Sequence, residues 1–366
     1  MKFVVYEDEN VADLYPLTLT RPAFQIPVGA WTLQELLTVS FPEAEIEYRI
    51  RAELTSFFDF PAQNNATPKP DELWINARAV PSTANIEKIK TGDTELDLIE
   101  YPHEVIIWHK RVCDANLQRL LREKKWTEIQ PNVFVGENVK INDHVIFHSD
   151  AGVIIIDDES EIFPYTVIEG PVKIGKGCKI LEHTLIRDRV VVGDVCKIRG
   201  EVTESILMSY SNKQHYGFLG NAFVGIWVNL GAGTCNSDLK NTYGKICVKK
   251  GKEKINTGEQ FLGCVIGDYS KSAINTSIFT GKTIGVSSYL YGFIDEDVPS
   301  FVSFMKYLCC GSFTFNVDKA IETQQRMFLR RNRQQDKQDA ELLRFVFQAT
   351  QDERDVFFSG KYLHRI

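Results

Sequence analysis

The sequence predicts three units in tandem: an α/β N-terminal domain over residues 1–125, a left-handed parallel β-helix of hexapeptide repeats over 126–300, and a helical C-terminal extension over 301–366. Three observations carry that expectation. An aliphatic residue recurs every six positions in unbroken register at Ile156, Ile162, Ile168, Ile174, Ile180, Ile186, Val192 and Ile198, and a fixed internal period marks a repeat architecture. Glycine is unevenly spread, with only Gly29 and Gly92 before residue 136 and the other 22 of 24 beyond it. After Pro299 the apolar clusters take helical spacing.

In the N-terminal unit, FVVY (3–6) and EVIIW (104–108) read as short buried strands, while WTLQELL (31–37) and CDANLQRLLREKK (113–125) read as helices. PAQNNATPKPDE, residues 61–72, reads as a surface loop.

From about Val135 the period fits a triangular coil. Each face contributes a short strand, one aliphatic residue per hexad points inward, and glycine or a small polar residue makes the corner. The register begins at Val135 and Ile141, slips by three between Val153 and Ile156, and resumes at Ile266, Ile278, Ile284 and Leu290. Two insertions interrupt it: SYSNKQHYGF (209–218), and a segment from Asn236 to Gln260 containing KKGKEK. Loops ejected from a rigid scaffold are favoured places for chemistry, whereas a charge run is as often a solvated face. In the tail, AI, MFL, LL and FVF alternate with RRNRQQDKQD, and Arg326, Arg330, Arg331 and Arg333 read as a solvated face, with a phosphate site as the alternative.

A formal net charge of −7 disfavours nucleic acid and anionic membranes as partners. No apolar run approaches the roughly 20 residues that span a bilayer, and MKFVVYEDEN lacks a basic leader region, so a cytoplasmic protein is expected. The eight cysteines, at 113, 178, 196, 235, 247, 264, 309 and 310, lack zinc-binding spacing and read as reduced packing thiols; no metal site is expected among them.

The densest polar run is SNKQHYGFLGNAFVGIWVNLGAGTCNSDLKN, residues 211–241. His215 lies in it beside Lys213, and an imidazole can accept a proton at neutral pH. HYGFLGNAFVGIWVNLGAGT resembles the acetyltransferase half of the bacterial bifunctional N-acetylglucosamine-1-phosphate uridyltransferase/glucosamine-1-phosphate acetyltransferases, through His215, Leu219, Gly220, Asn229, Gly231, Ala232, Gly233, Thr234, Cys235 and Asn236. YSNKQHYGFLG, NSDLKN and LTLTRPAFQIPVG resemble a branch of sugar nucleotidyltransferases with a short N-terminal domain.

The resemblance implies His215 as general base and places Asn229 and Asn236 near amino sugar and coenzyme A. It implies Arg187 as a sugar-phosphate anchor, with Lys213, Lys240 and, in the N-terminal unit, Arg21 as further substrate contacts. It also implies acetyl-CoA as acyl donor and a homotrimer. Two departures stand out: Phe218 replaces a tyrosine, and Thr203 or Ser205 falls where a second phosphate-contacting lysine is expected. Backbone amides of the GAGT corner are candidate oxyanion donors, and Cys235 reads as packing rather than as a nucleophile.

The N-terminal unit lacks the glycine-rich loop that lets backbone amides approach nucleotide phosphates. After FVVY there is no glycine until Gly29. Glu7, Asp8 and Asp13 are candidates for magnesium if this unit is active, though such charges are also ordinary surface features. The expected activity is therefore acetyl-CoA-dependent N-acetylation of an amino-sugar phosphate, which a chain started near Trp126 should retain if it stays soluble. A sugar-1-phosphate nucleotidyltransferase that uses the coil for assembly and a non-enzymatic sugar-nucleotide sensor are the alternatives.

Overall fold

The computed structural model describes residues 2–63, 69–251, 253–307 and 311–359. Cys309, Cys310, Lys252 and the middle of the 61–72 segment lie outside them.

The N-terminal unit is built on a three-stranded parallel sheet of order β2-β1-β3, formed by β1 (Lys2–Tyr6), β2 (Glu45–Arg49) and β3 (Glu72–Asn76). Helices α1 (Leu33–Ser40), α2 (Thr83–Lys90) and α3 (Glu104–Leu120) complete it. Thr32 and Glu35 cap α1 reciprocally.

EVIIW, expected as a strand, forms the first turns of α3. Val105, Ile106, His109, Val112, Cys113, Asn116 and Leu117 are all buried on one helical stripe, and the polar His109 and Asn116 hide its period in the sequence. Both polar residues join segments. Asn116 Nδ2 donates to the Pro81 and Val28 carbonyls at 2.7 and 3.2 Å. His109 Nδ1 accepts from Gly29 N at 3.2 Å and Nε2 donates to the Arg189 carbonyl at 2.5 Å, which joins the sheet domain to the coil. Burial pushes the His109 pKa down to about 4, so the ring is neutral.

The coil starts with Thr127–Gln130, antiparallel to Val133–Val135. It then winds through three parallel faces. Face I runs from Val133–Val135 to Lys282–Ile284, face II from Lys140–Ile141 through Asn212–Lys213 to Val302–Phe304, and face III from Ile146–His148 through Phe218–Gly220 to Phe293–Ile294. All eight aliphatic positions from Ile156 to Ile198 have 0% exposure and form one stacked core.

Ile156 pairs Ile174, and Ile174 pairs Val192, so a full coil takes three hexads. Val135 pairs Ile156 instead, and this longer first coil is the slip of three.

Residues 209–218 correct an expectation. They are not an ejected loop: Asn212–Lys213 and Phe218–Gly220 hold their places on faces II and III. Val191 pairs Ile206 and Ile206 pairs Phe223, so these two coils are short, and trimmed corners put the residues out of phase with the six-residue count. The true insertion follows. Phe223 pairs Val265, and the excess chain forms a hairpin, Cys247–Lys250 with Glu253–Asn256. Its Ile246 and Val248 are buried in the core of the N-terminal unit, and Lys250 Nζ pairs with Asp13 at 2.8 Å.

Corners are bulkier than expected. Left-handed backbone falls on Asn138, Glu159, Val195, Tyr210, Trp227 and Tyr269 as well as on glycines. Each such residue costs on the order of 1–2 kcal/mol. Stacking offsets part of this: Tyr210 and Trp227 lie 4.4 Å apart at 3°, with Phe328 against the indole at 4.6 Å.

That Phe328 belongs to the C-terminal helices α4 (Val317–Leu329), α5 (Lys337–Ala349) and α6 (Gln351–Ser359). They cover the coil through Trp227, Tyr269, Phe301, Phe328, Leu343 and Val346, while Phe345 reaches Phe57 of the N-terminal unit. Among the described residues no helix is long and apolar enough to cross a membrane.

Candidate functional site

The HYGFLGN run turns the corner from face II to face III, and His215 lies exposed at it. Two contacts fix the turn. The Gly233 amide donates to the Tyr216 carbonyl at 3.1 Å, and the Tyr216 hydroxyl donates to Asn275 Oδ1 at 3.2 Å. The backbone demands glycine here. Gly217 and Gly233 have φ of +129° and +74°, and a Cβ would meet the Thr234 carbonyl and Asn275 Oδ1 respectively at 2.2 Å.

Lys213 supports the same turn from inside. It occupies an inward position of face II, paired in register with Ile198, and is 2% exposed. Its ammonium donates to the carbonyls of Arg199, at 2.8 Å, and His215, at 3.1 Å. Burial pushes its pKa down to about 8. Lys213 is thus an internal strut beneath His215, and its charge is spent on backbone rather than offered to substrate. Asn236 is also internal, at 4% exposure: Oδ1 accepts from Gly220 N at 2.9 Å and Nδ2 donates to Gly220 O at 2.8 Å.

The GAGT corner spends its donors in the same way. Gly231 N bonds Ser272, Gly233 N bonds Tyr216 and Thr234 N bonds the Gly231 carbonyl, so the expected oxyanion donors are not free at these three amides. Cys235 Sγ accepts from Phe218 N at 3.3 Å, a packing role.

Arg187 lies outward on face III, two coils from Gly220 through Thr203. Its Nη2 donates to Glu201 Oε1 at 2.8 Å. Lys240 donates to the Lys245 carbonyl at 2.6 Å and borders a cavity beside the hairpin with Cys247, Lys249, Lys254 and Lys282. Arg21 is 5% exposed: it pairs with Asp268 of the coil and donates to Met208 Sδ at 2.8 Å, so it joins domains rather than facing a nucleotide.

The carboxylates considered for magnesium are also engaged. Glu7 accepts from Ala23 N, Arg51 N and Arg51 Nη1, and Asp8 from Arg78 and Asn76; desolvation opposes the lowering of the Asp8 pKa, but these bonds prevail. Among the described residues no cluster suits a metal ion.

Asn229 differs from these internal residues. It is exposed on face II between Asn212 and Lys271, and together with Gln214, the neighbour of His215, it lines a cavity of about 250 Å³. Arg330 and Arg331 close the opposite wall from the end of α4. The cavity therefore reaches Asn229 and Gln214, the neighbour of His215, with Arg187 on the adjoining face, while Lys213, Asn236 and Arg21 hold internal contacts and Lys240 borders a separate cavity. Lys271 escapes the sequence reading, and Arg330 and Arg331 read there as a solvated face. Lys271 is a neighbour of Asn229 only after a 42-residue coil step, and the arginines arrive from another unit.

Residues 3–157 match the sugar nucleotidyl transferase family model. The chain is 40% identical over 92 residues to the bifunctional protein GlmU of Buchnera aphidicola, covering 24% of this chain and 20% of that protein. It is 31% identical over 174 residues to a bifunctional sugar-1-phosphate nucleotidylyltransferase/acetyltransferase of Sulfurisphaera tokodaii, covering 46% and 43%. With the GlmU protein of Acidithiobacillus ferrooxidans it shares 34% identity over 180 residues, covering 47% and 35%. The chain spans less than half the length of these curated relatives. A solved UDP-N-acetylglucosamine acyltransferase of Francisella novicida is similar at 16% identity over 53% of this chain and 72% of that one, with a TM-score of 0.33.

Proposed function

We propose that the chain is an acetyl-CoA-dependent N-acetyltransferase for an amino-sugar phosphate, carried by the coil and attached to a nucleotidyltransferase-like N-terminal unit. The observation that carries this reading is the exposed His215, held on a fixed corner by Lys213, Tyr216 and Asn275, beside a polar cavity reached through Gln214 and Asn229. A homotrimer and a cytoplasmic setting belong to the same proposal.

The chemistry follows from the residue types. The sugar amine attacks the thioester carbonyl carbon while the His215 imidazole takes the amine proton. The tetrahedral intermediate then collapses, the C–S bond breaks, and the imidazolium returns the proton to the leaving thiolate. Asn229 is placed to orient the acceptor, and positioning two substrates contributes at least as much as the base.

Similarity of residues 3–157 to sugar nucleotidyl transferases supports a second activity, nucleotidyl transfer with magnesium. The engagement of Glu7, Asp8 and Arg21 and the scarcity of glycine weigh against it.

Incubation of the full chain with glucosamine 1-phosphate and acetyl-CoA, following thiol release, tests the first reading; N-acetylglucosamine 1-phosphate with UTP and magnesium tests the second. His215→Ala is expected to lower acetyl transfer by roughly two to four orders of magnitude with an unchanged melting temperature. Near-normal turnover in that variant removes His215 as the base.

A further inference from the structure

We infer that the cleft between face II and the end of α4 is a phosphoryl-binding site, in which Arg330, Arg331 and Lys271 hold a phosphate group of a transferase substrate. The ligand class rests on the transferase reading; the site itself rests on the geometry.

The outward rungs of face II run Lys179, Lys197, Asn212, Asn229, Lys271 in register. At the ~4.8 Å spacing of neighbouring strands this strip is about 19 Å long. The end of α4 sets two guanidinium groups against it.

The cations lack counter-charges. Burial lowers the Lys197 pKa, followed by repulsion from Arg331, Lys179 and Arg330. Burial and then Arg330 lower that of Arg331. Burial pushes Lys271 down to about 7; its ammonium gives one donor to the Tyr269 carbonyl at 2.7 Å and lies over the Tyr289 ring, and it borders the cleft with its remaining donors. Among the described residues no carboxylate pairs with Lys197, Lys271, Arg330 or Arg331, although the chain carries an excess of seven acidic charges. A concentration of like charge at one cleft of an acidic protein has a favourable partner in an anion.

Donors point the same way. Arg331 spends Nη2 on Asn212 Oδ1 at 2.8 Å, but its buried Nε has no acceptor among the described residues, and neither has the buried indole N–H of Trp227 in the same wall. Such groups are costly when left unmade. A phosphate offers several acceptor oxygens, and guanidinium groups grip it with parallel bonds. Arg187 is neutralised by Glu201, and the C-terminal helices bring the cations from elsewhere in the chain.

Calorimetric titration of the full-length protein tests this with inorganic pyrophosphate, glucosamine 1-phosphate and coenzyme A, using unphosphorylated glucosamine as control. The native chain is expected to bind at least one phosphorylated probe. Arg330→Gln and Lys271→Gln should each weaken that binding about tenfold or more, with melting temperatures near native. Arg326→Gln removes the same charge from the same helix outside the cleft and should leave affinity unchanged.

Loss confined to glucosamine 1-phosphate assigns the site to the acceptor, and loss confined to coenzyme A assigns it to the donor; either supports the inference. Native affinity in both cleft variants, or no binding of any phosphorylated probe, overturns it. The transferase reading fails separately: a native chain that binds phosphate through Arg330 but acetylates no amino sugar keeps the site and loses the activity.

Discussion

Lys213 carries an ammonium into the middle of an aliphatic coil, where its neighbour in register is Ile198. Two carbonyls compensate the charge incompletely, as its pKa of about 8 indicates. In the unfolded chain a lysine titrates near 10.4. Between these values the unfolded state binds more protons, so unfolding free energy rises with pH across that window; below about pH 8 the full cost of the buried charge is felt. At about 1.36 kcal/mol per unit, the contribution is on the order of 3 kcal/mol. The stability of the native chain relative to Lys213→Met, from urea unfolding at pH 7.5 and 10, should therefore improve toward the higher pH. A difference that stays flat contradicts the strut assignment. Polarity within an apolar period signals a site from sequence alone, whereas in the structure Lys213 and Asn236 satisfy backbone groups inside the coil. The aliphatic positions were legible because a repeat has one inward slot per hexad and only apolar residues fill it without partners.

Between elements, the principal clasp joins the Arg21-Pro22 segment to the coil. Asp268, 3% exposed, accepts from Arg21 and Thr20 across the domain boundary and from Ile226 N within the coil, at 2.9 Å for the last. Removing one partner of a buried ion pair strands the other, at a cost of about 3–5 kcal/mol. Arg21→Ala should lower unfolding free energy by that order in chemical denaturation, and Arg21→Met with Asp268→Asn should recover part of it. A loss below about 1 kcal/mol would show that the clasp is dispensable. This contact is invisible in the sequence, since its partners lie 247 residues apart. The insertion after Asn236 was visible as a break in period, but its purpose was not: Ile246 and Val248 brace the N-terminal unit. In α3, burial of His109 and Asn116 disguised a helix as a strand.

For the whole molecule, the division into units is weaker than the change in sequence style implies. One core contains β1 residues Phe3 and Val5 together with the coil's Ile206, Phe223, Leu262 and Val265 and the insertion's Ile246 and Val248. A chain started near Trp126 exposes these six side chains, each worth about 1.5–3 kcal/mol when buried. Their sum rivals the 5–15 kcal/mol that stabilises a typical domain. It also strands Asp268 without Arg21 and leaves the Arg189 carbonyl without His109. The truncated coil should therefore aggregate, or bind a hydrophobic dye and melt well below the full chain, and any loss of acetyl transfer in it would report on folding rather than chemistry. The solubility on which acetyl transfer by the coil alone depends is then lost for a structural reason. A monodisperse truncation that melts within a few degrees of the intact protein would show instead that the shared core is peripheral, and that the N-terminal unit is a separable attachment to an autonomous catalytic coil.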